Sequence, residues 1–252
     1  FARHPKALIS LQREAKKSQQ MAHPNVVRVY DFDRDGDRVY MTMELLQGES
    51  LGRYLRQRAE DGLTTDEALH ILVQCAEALL CAHEHGVIHG DLKPGNVFID
   101  TRGEAHLLDF GSVPEYDTGV GVVHDQFLTP AYASPQMLEG QPAEVRDDLF
   151  SLGCLAYEIF SGRHPFGLKS SIEARDEKLR LIWEPSIPAR HFGVIARMLS
   201  WNREERPTSA LEFVDSLNAA QSRAKAAFTR ESRPSQPAPE TPSAQEAAKP
   251  AA

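Results

Sequence analysis

The segment His89-Gly90-Asp91-Leu92-Lys93-Pro94-Gly95-Asn96 gathers an acid, a cation and an amide within one short stretch. Asp91 and Asn96 stand five positions apart across a Pro-Gly turn. A turn lets two polar side chains converge on one point, which an extended strand of that length does not. Asp109-Phe110-Gly111 follows a run that reads as a strand, and its carboxylate could face the same point. This set suits phosphoryl transfer, which needs an aimed hydroxyl and neutralised phosphate charge, with little covalent work for protein groups. One carboxylate can accept and orient the hydroxyl proton. A second carboxylate and an amide oxygen can hold Mg²⁺, a hard cation that takes oxygen ligands. A lysine can reach the moving phosphate as a point charge. A lone Asp-Phe-Gly or His-x-Asp occurs by chance in many proteins. The complete His-x-Asp-x-Lys-x-x-Asn followed by Asp-Phe-Gly at this separation is a strong signal.

These residues need elements to position them. Before them, Thr64 with Glu67 forms a capping-box pattern. Leu69, Leu72, Val73, Ala76, Leu79 and Leu80 then recur at helical spacing up to a stop at Gly86. Short apolar runs at 87–88, 97–99 and 105–108 predict small strands around the polar loop. Upstream, 8–21 is rich in helix formers and ends before His23-Pro24-Asn25, where proline stops it. Residues 26–32 and 38–43 read as strands, joined through an Asp35-Gly36 hairpin signal. Residues 149–160 are apolar nearly all round, the mark of a buried helix. Further helices are expected over 187–200 and 208–217. A small, partly β region before a mostly helical body is an α+β arrangement.

Composition excludes several classes. The formal net charge of -8 argues against nucleic acid or an anionic membrane as a general partner. No apolar run approaches the roughly 18 residues that span a bilayer, and charges scattered through 1–17 do not form a signal peptide. Cys75, Cys81 and Cys154 form no Cys-x-x-Cys pair and predict reduced, buried thiols in a cytoplasmic protein. From about Ala219 the chain is rich in Ala, Pro, Ser, Glu and Gln and is expected to be a disordered tail or linker over 219–252.

Over about 8–217 the chain resembles the eukaryotic-type serine/threonine protein kinase family. Besides the segments above, Glu44-Leu45-Leu46-Gln47-Gly48-Glu49-Ser50-Leu51 resembles the hinge between lobes. Thr129-Pro130-Ala131-Tyr132-Ala133-Ser134-Pro135-Gln136 resembles the end of the activation segment. Asp148-Leu149-Phe150-Ser151-Leu152-Gly153 resembles the buried helix F, and Arg206-Pro207-Thr208 the motif near the domain's end. Lys93-Pro94-Gly95-Asn96 is similar to the serine/threonine rather than the tyrosine type. The resemblance implies a two-lobed kinase-like fold over 1–218, with a mainly helical C-terminal lobe, and ATP and Mg²⁺ as cofactors. It implies Asp91 as catalytic base, Lys93 on the moving phosphate, and Asn96 and Asp109 as Mg²⁺ ligands. Met43 would stand beside the adenine pocket, backbone groups of Glu44 and Leu46 would bond adenine, and Phe98 would pack under its ring. Glu14 would pair with a strand lysine, and Thr129 would help place the hydroxyl of a serine or threonine in a protein substrate. Met43 and Phe98 are also residues that any core would take.

The chain departs from the family pattern in three places. Nothing before Glu14 resembles a Gly-rich loop or a strand lysine, so the N-terminal lobe is expected to be incomplete, and a further segment or a partner to cover the small sheet. The chain then reads either as a fragment of an active kinase or as a truncated, pseudokinase-like scaffold. Gly90 stands where many kinases have arginine to bind a phosphorylated activation segment, so phosphorylation at the candidate sites Ser112 and Thr118 is not expected to be the switch. Gln136 stands where glutamate usually pairs with Arg206, and predicts a weaker tether. Charged hydrogen bonds contribute about 1.5–3 kcal/mol against roughly 0.5–1.5 for neutral ones. His89-Gly90-Asp91 also fits small-molecule phosphotransferases of the aminoglycoside or choline kinase type, but Lys93, the Thr129-to-Gln136 segment and the 148–153 helix do not.

Overall fold

The structure is a computed structural model that describes residues 19, 21–35, 38–60, 62–110 and 128–217. The expected helix over 8–21 with Glu14, apart from Gln19 and Met21, lies outside the described residues. So do Ser112, Thr118 and the 219–252 tail.

Strands β1 (Val29–Asp35) and β2 (Arg38–Met43) form an antiparallel hairpin, with Asp35 opposite Arg38. The expected strand start at Val26 is corrected. Residues 25–27 pair with a different sheet: Leu107 N–H donates to Asn25 O at 2.8 Å, and Val27 N–H to Leu107 O at 3.0 Å. The Asn25 amide adds a bond to Ala105 O at 2.8 Å. This stitch fastens the hairpin to the remainder of the molecule.

The second sheet has the order β3-β4-β5, all antiparallel: β3 (Gly48–Ser50), β4 (Val97–Asp100) and β5 (Ala105–Leu107). β3 and helix α1 (Leu51–Gln57) emerge from the segment read only as a hinge. Gly48 is required there, because a Cβ would lie 2.0 Å from Ile99 O. Helix α2 (Thr65–Glu84) begins with the expected reciprocal Thr64/Glu67 capping box. The strand expected at 87–88 does not form. Val87 N–H returns to Ala82 O at 2.9 Å, and the amides of His89 and Gly90 go to the Asp148 side chain.

Four further helices follow: α3 (Pro135–Leu138), α4 (Val145–Ser161), α5 (Ser171–Asp176) and α6 (Ala189–Met198). Residues 210–217 are also helical. The expected start at 187 moves to Ala189 because Pro188 caps the helix. The core lies between α2 and α4, where Leu69, Leu72, Cys75, Leu79, Leu149, Phe150, Leu152 and Leu155 are buried. Gly153 lets α4 approach α6, since a Cβ there would stand 2.8 Å from Met198 Cβ. Cys75 and Cys154 are buried free thiols, as expected, whereas Cys81 is only partly buried. Among the described residues no helix is long and apolar enough to cross a membrane. The chain has the expected α+β arrangement, a small sheet region followed by a mainly helical body.

Candidate active site

The site is built on a buried carboxylate. Asp148, in the first turn of α4, accepts from His89 N–H at 2.8 Å and Gly90 N–H at 2.9 Å. His83 Nε2, at the end of α2, lies 2.8 Å from the same carboxylate. Burial would raise the Asp148 carboxyl, but the hydrogen bond and charge of His83, with help from His89 and Gly90, hold it below the usual carboxylate range. The two central helices therefore clamp the loop that follows α2. Gly90 has φ +79, a left-handed conformation that glycine adopts without a Cβ penalty.

The loop then delivers Asp91. Its N–H donates to His89 Nδ1 at 3.3 Å, which leaves the imidazole proton on Nε2. Burial also pushes the His89 pKa down, against the pull of Asp148, Asp91 and Asp109, and its ring leans on Phe110 with centroids 4.7 Å apart. The Asp91 carboxylate is a convergence point. Lys93 Nζ bonds Oδ2, Asn96 Nδ2 donates to Oδ2 at 3.1 Å and to Asp91 O at 2.8 Å, and Thr129 N–H donates to Oδ1 at 3.1 Å. Lys93 Nζ also donates to Thr129 Oγ1 at 2.6 Å. The Pro94–Asn96 turn is one 3₁₀ turn, which brings Asn96 back over Asp91. Four of the expected residues, Asp91, Lys93, Asn96 and Thr129, thus meet directly.

Asp109 joins them through the backbone, since Leu108 N–H donates to Asn96 O at 2.9 Å. Asp109 takes φ +56, uncommon for a residue with a side chain and most tolerated by Asp and Asn. It lines a pocket with Val27, Val29, Met41, Met43, Leu107, Leu108 and Phe110. Met43 is therefore at the pocket, yet it is 39% exposed, and Phe98 is only half-buried. The notion that both would serve as core residues is corrected. Phe98 lies against Gly48 and is not among the lining residues of that pocket. Glu44 is tied to Arg28 twice: its N–H donates to Arg28 O at 2.9 Å, and its Oε1 accepts from Arg28 N–H at 2.7 Å. Leu46 is half-buried in the irregular stretch that follows.

A second charged cluster holds the segment after Thr129. Arg206 Nη2 donates to Gln136 Oε1 at 2.6 Å, as the pairing predicts, and Gln136 Nε2 donates onward to Trp201 O at 2.9 Å. A carboxylate could not make the second bond. The charge expected to be missing is supplied by Asp147, 3.1 Å from Arg206 Nη1 and 2.7 Å from Arg203 Nη2. The weaker tether expected at Gln136 is thus compensated one helix away. Sequence reading missed His83, Asp147, Arg203 and the anchoring role of Asp148. Two adjacent acids at the head of an otherwise apolar helix were the available signal, because buried charges need partners.

Known proteins resemble this chain in sequence and in fold. Residues 2–219 match the protein kinase domain family. The chain is 37% identical over 233 residues to the serine/threonine-protein kinase pkn2 of Myxococcus xanthus, covering 86% of this chain and 28% of that protein. It is 38% identical over 205 residues to the serine/threonine-protein kinase PkaA of Streptomyces coelicolor, covering 78% of this chain and 37% of that protein. It therefore spans about a third of the length of these relatives. The crystal structure of a point mutant of the Mycobacterium tuberculosis PknI kinase domain superposes with a TM-score of 0.70 at 25% identity, covering 87% of this chain and 81% of that one. The chain belongs to the protein kinase domain family.

Proposed function

We propose that this domain transfers the γ-phosphate of ATP to serine or threonine hydroxyls of a protein substrate. The observation that carries this reading is the convergence of Lys93, Asn96 and Thr129 on the Asp91 carboxylate, with Asp109 held beside Asn96. Asp91 takes the acceptor hydroxyl proton, Lys93 follows the phosphate, and Thr129 seats the acceptor. The Asn96 amide nitrogen is spent on Asp91, so its oxygen and the Asp109 carboxylate form an all-oxygen donor set that fits Mg²⁺. When bound, that ion supplies neutralisation of phosphate charge. The Glu44 N–H is committed to Arg28, so the carbonyl is the group Glu44 offers to adenine, with the Leu46 backbone two positions on. Met43 borders the base from the pocket, and Phe98, which lies against Gly48, is assigned to the underside of its ring. Glu14 is the candidate for pairing with a nucleotide-side lysine. Tyr30 and Tyr40, 56% and 45% exposed on the hairpin, support a covering segment or partner there. The domain spans 1–218, with 219–252 as a tail, in a cytoplasmic setting.

An acceptor panel tests the reading. The full-length protein with Mg²⁺-ATP should label a basic protein on serine or threonine and leave aminoglycosides and choline unlabelled. Labelling of a small alcohol alone would favour a small-molecule phosphotransferase. With Gly90 in place of an arginine, the double change Ser112→Ala and Thr118→Ala is expected to leave the transfer rate within about twofold. A collapse of transfer in that variant would restore activation-segment phosphorylation as the switch.

A further inference from the structure

His164 is a buried side chain that the chemistry above does not use. It follows the Gly162 stop of α4, and both its ring nitrogens are engaged. Nε2 lies 2.9 Å from Ala131 O, to which it donates. Nδ1 accepts from Phe166 N–H at 3.2 Å and Leu168 N–H at 3.1 Å. Two backbone donors on Nδ1 place the proton on Nε2, so one neutral ring bridges two segments. Burial pushes its pKa down to about 4, which keeps it neutral near pH 7. The bridge also holds a left-handed turn, with φ +61 at Gly167 and +65 at Leu168.

The far end of the bridge is the segment that reaches Asp91. Ala131 is two residues from Thr129, whose N–H and hydroxyl bond Asp91 and Lys93. Neighbouring groups of the segment are fixed as well. Ser151 Oγ donates to Tyr132 O at 2.9 Å, Tyr132 hydroxyl donates to Glu158 at 2.6 Å, and Ser134 Oγ donates to Asp147 at 2.8 Å. These three anchors all come from α4. His164 ties the segment to the turn beyond α4, and it does so at a peptide closer to Thr129 than any of the three. The Tyr132 ring meets the imidazole edge-on, with centroids 5.0 Å apart.

We propose that His164 is a positioning residue for the protein substrate: through Ala131 O it fixes the segment from Thr129 onward, and so sets where the acceptor hydroxyl stands relative to Asp91. This rests on the kinase reading. His164 touches neither the pocket nor Asp91, so its loss should act on the protein acceptor and spare the nucleotide. Small displacements of positioning groups can cost up to about 10²-fold in rate.

The test compares wild type, His164→Leu and His164→Gln in the full-length protein. Leucine fills the space without either bond, whereas glutamine offers one donor and one acceptor. Steady-state transfer to protein, KM for ATP, ATP hydrolysis without acceptor, and Tm are measured together. His164→Leu is expected to lower kcat/KM for protein by about 10- to 100-fold and to leave KM for ATP and hydrolysis within about twofold. His164→Gln should recover part of the loss. Equal falls in transfer and hydrolysis that track Tm would reduce His164 to a packing residue and overturn the proposal, as would unchanged transfer in the leucine variant. A wild type that hydrolyses ATP without labelling protein would remove the acceptor role alone. A wild type doing neither would sink the kinase reading, and this role with it.

Discussion

Asp147→Ala is expected to lower the unfolding free energy by about 3–5 kcal/mol, the range found when one partner of a buried ion pair is removed. Asp147 is fully buried and accepts from Ser134 Oγ, Glu144 N–H, two guanidinium nitrogens of Arg203 and one of Arg206. Arg206 is itself buried, under the Phe150 ring at 4.9 Å. Burial pulls its pKa down to about 10, and Asp147 is the principal opposing influence. Without the carboxylate, Arg206 keeps, among the described residues, the Phe150 ring, Gln136 and the carbonyls of Arg146 and Ser200, none of them charged. The desolvation cost of the cation would then go uncompensated. Urea unfolding checks this as a lower midpoint at an unchanged slope. The exposed carboxylate Asp176, paired only at the surface with Arg175, provides the control, and its alanine variant should lie within about 0.5 kcal/mol of wild type. An Asp147→Ala loss below about 1 kcal/mol would mean that this cluster does not hold the segment after Thr129.

Asp91→Asn is expected to lower phosphate transfer by about 10²- to 10⁴-fold, the range for loss of a positioned proton acceptor. The reasoning is one of donors and acceptors. Asp91 is surrounded by three donors, Lys93 Nζ, Asn96 Nδ2 and Thr129 N–H. A carboxylate satisfies all of them and still has lone pairs for a hydroxyl. An amide has one oxygen and must turn its NH₂ toward donors, so it both repels a neighbour and loses the base. ATP affinity should change by no more than a few-fold, since Asp91 is not among the residues lining the pocket. Steady-state kinetics with a parallel nucleotide titration separates the two effects. An equal loss in both would move Asp91 from proton acceptor to nucleotide support.

Much of the candidate site was legible because it is local in sequence. Asp91, Lys93 and Asn96 lie within six residues, and a single 3₁₀ turn suffices to gather them. Helices α2 and α4 were legible for a related reason: the Thr64/Glu67 box and the continuous apolar run act within a few turns. Contacts that close over long separations were not. The 25–27 stitch to β5 depends on Asn25 finding Ala105, eighty residues away. β3 depends on β4 for its existence, and three residues leave no periodicity to read. The run at 87–88 looked like a strand because apolar content does not report where backbone amides go, and here those of Val87, His89 and Gly90 serve Ala82 and Asp148. The exposure of Met43 was also hidden, since an apolar residue in a strand is expected to face a core. Gln136 shows the same limit from the polar side. Its own substitution was plain, but the compensating Asp147–Arg203 pair joins residues 56 apart.

The most direct measurement is transfer of label from γ-labelled ATP to a basic protein by the full-length protein, with Mg²⁺ present and then chelated, followed by phosphoamino-acid analysis. Acid-stable phosphoserine or phosphothreonine that appears with Mg²⁺ and vanishes with the chelator is the predicted result. A folded, full-length protein that leaves serine and threonine unlabelled in both conditions would contradict it, and the Asp91 cluster would then be a kinase architecture without kinase chemistry.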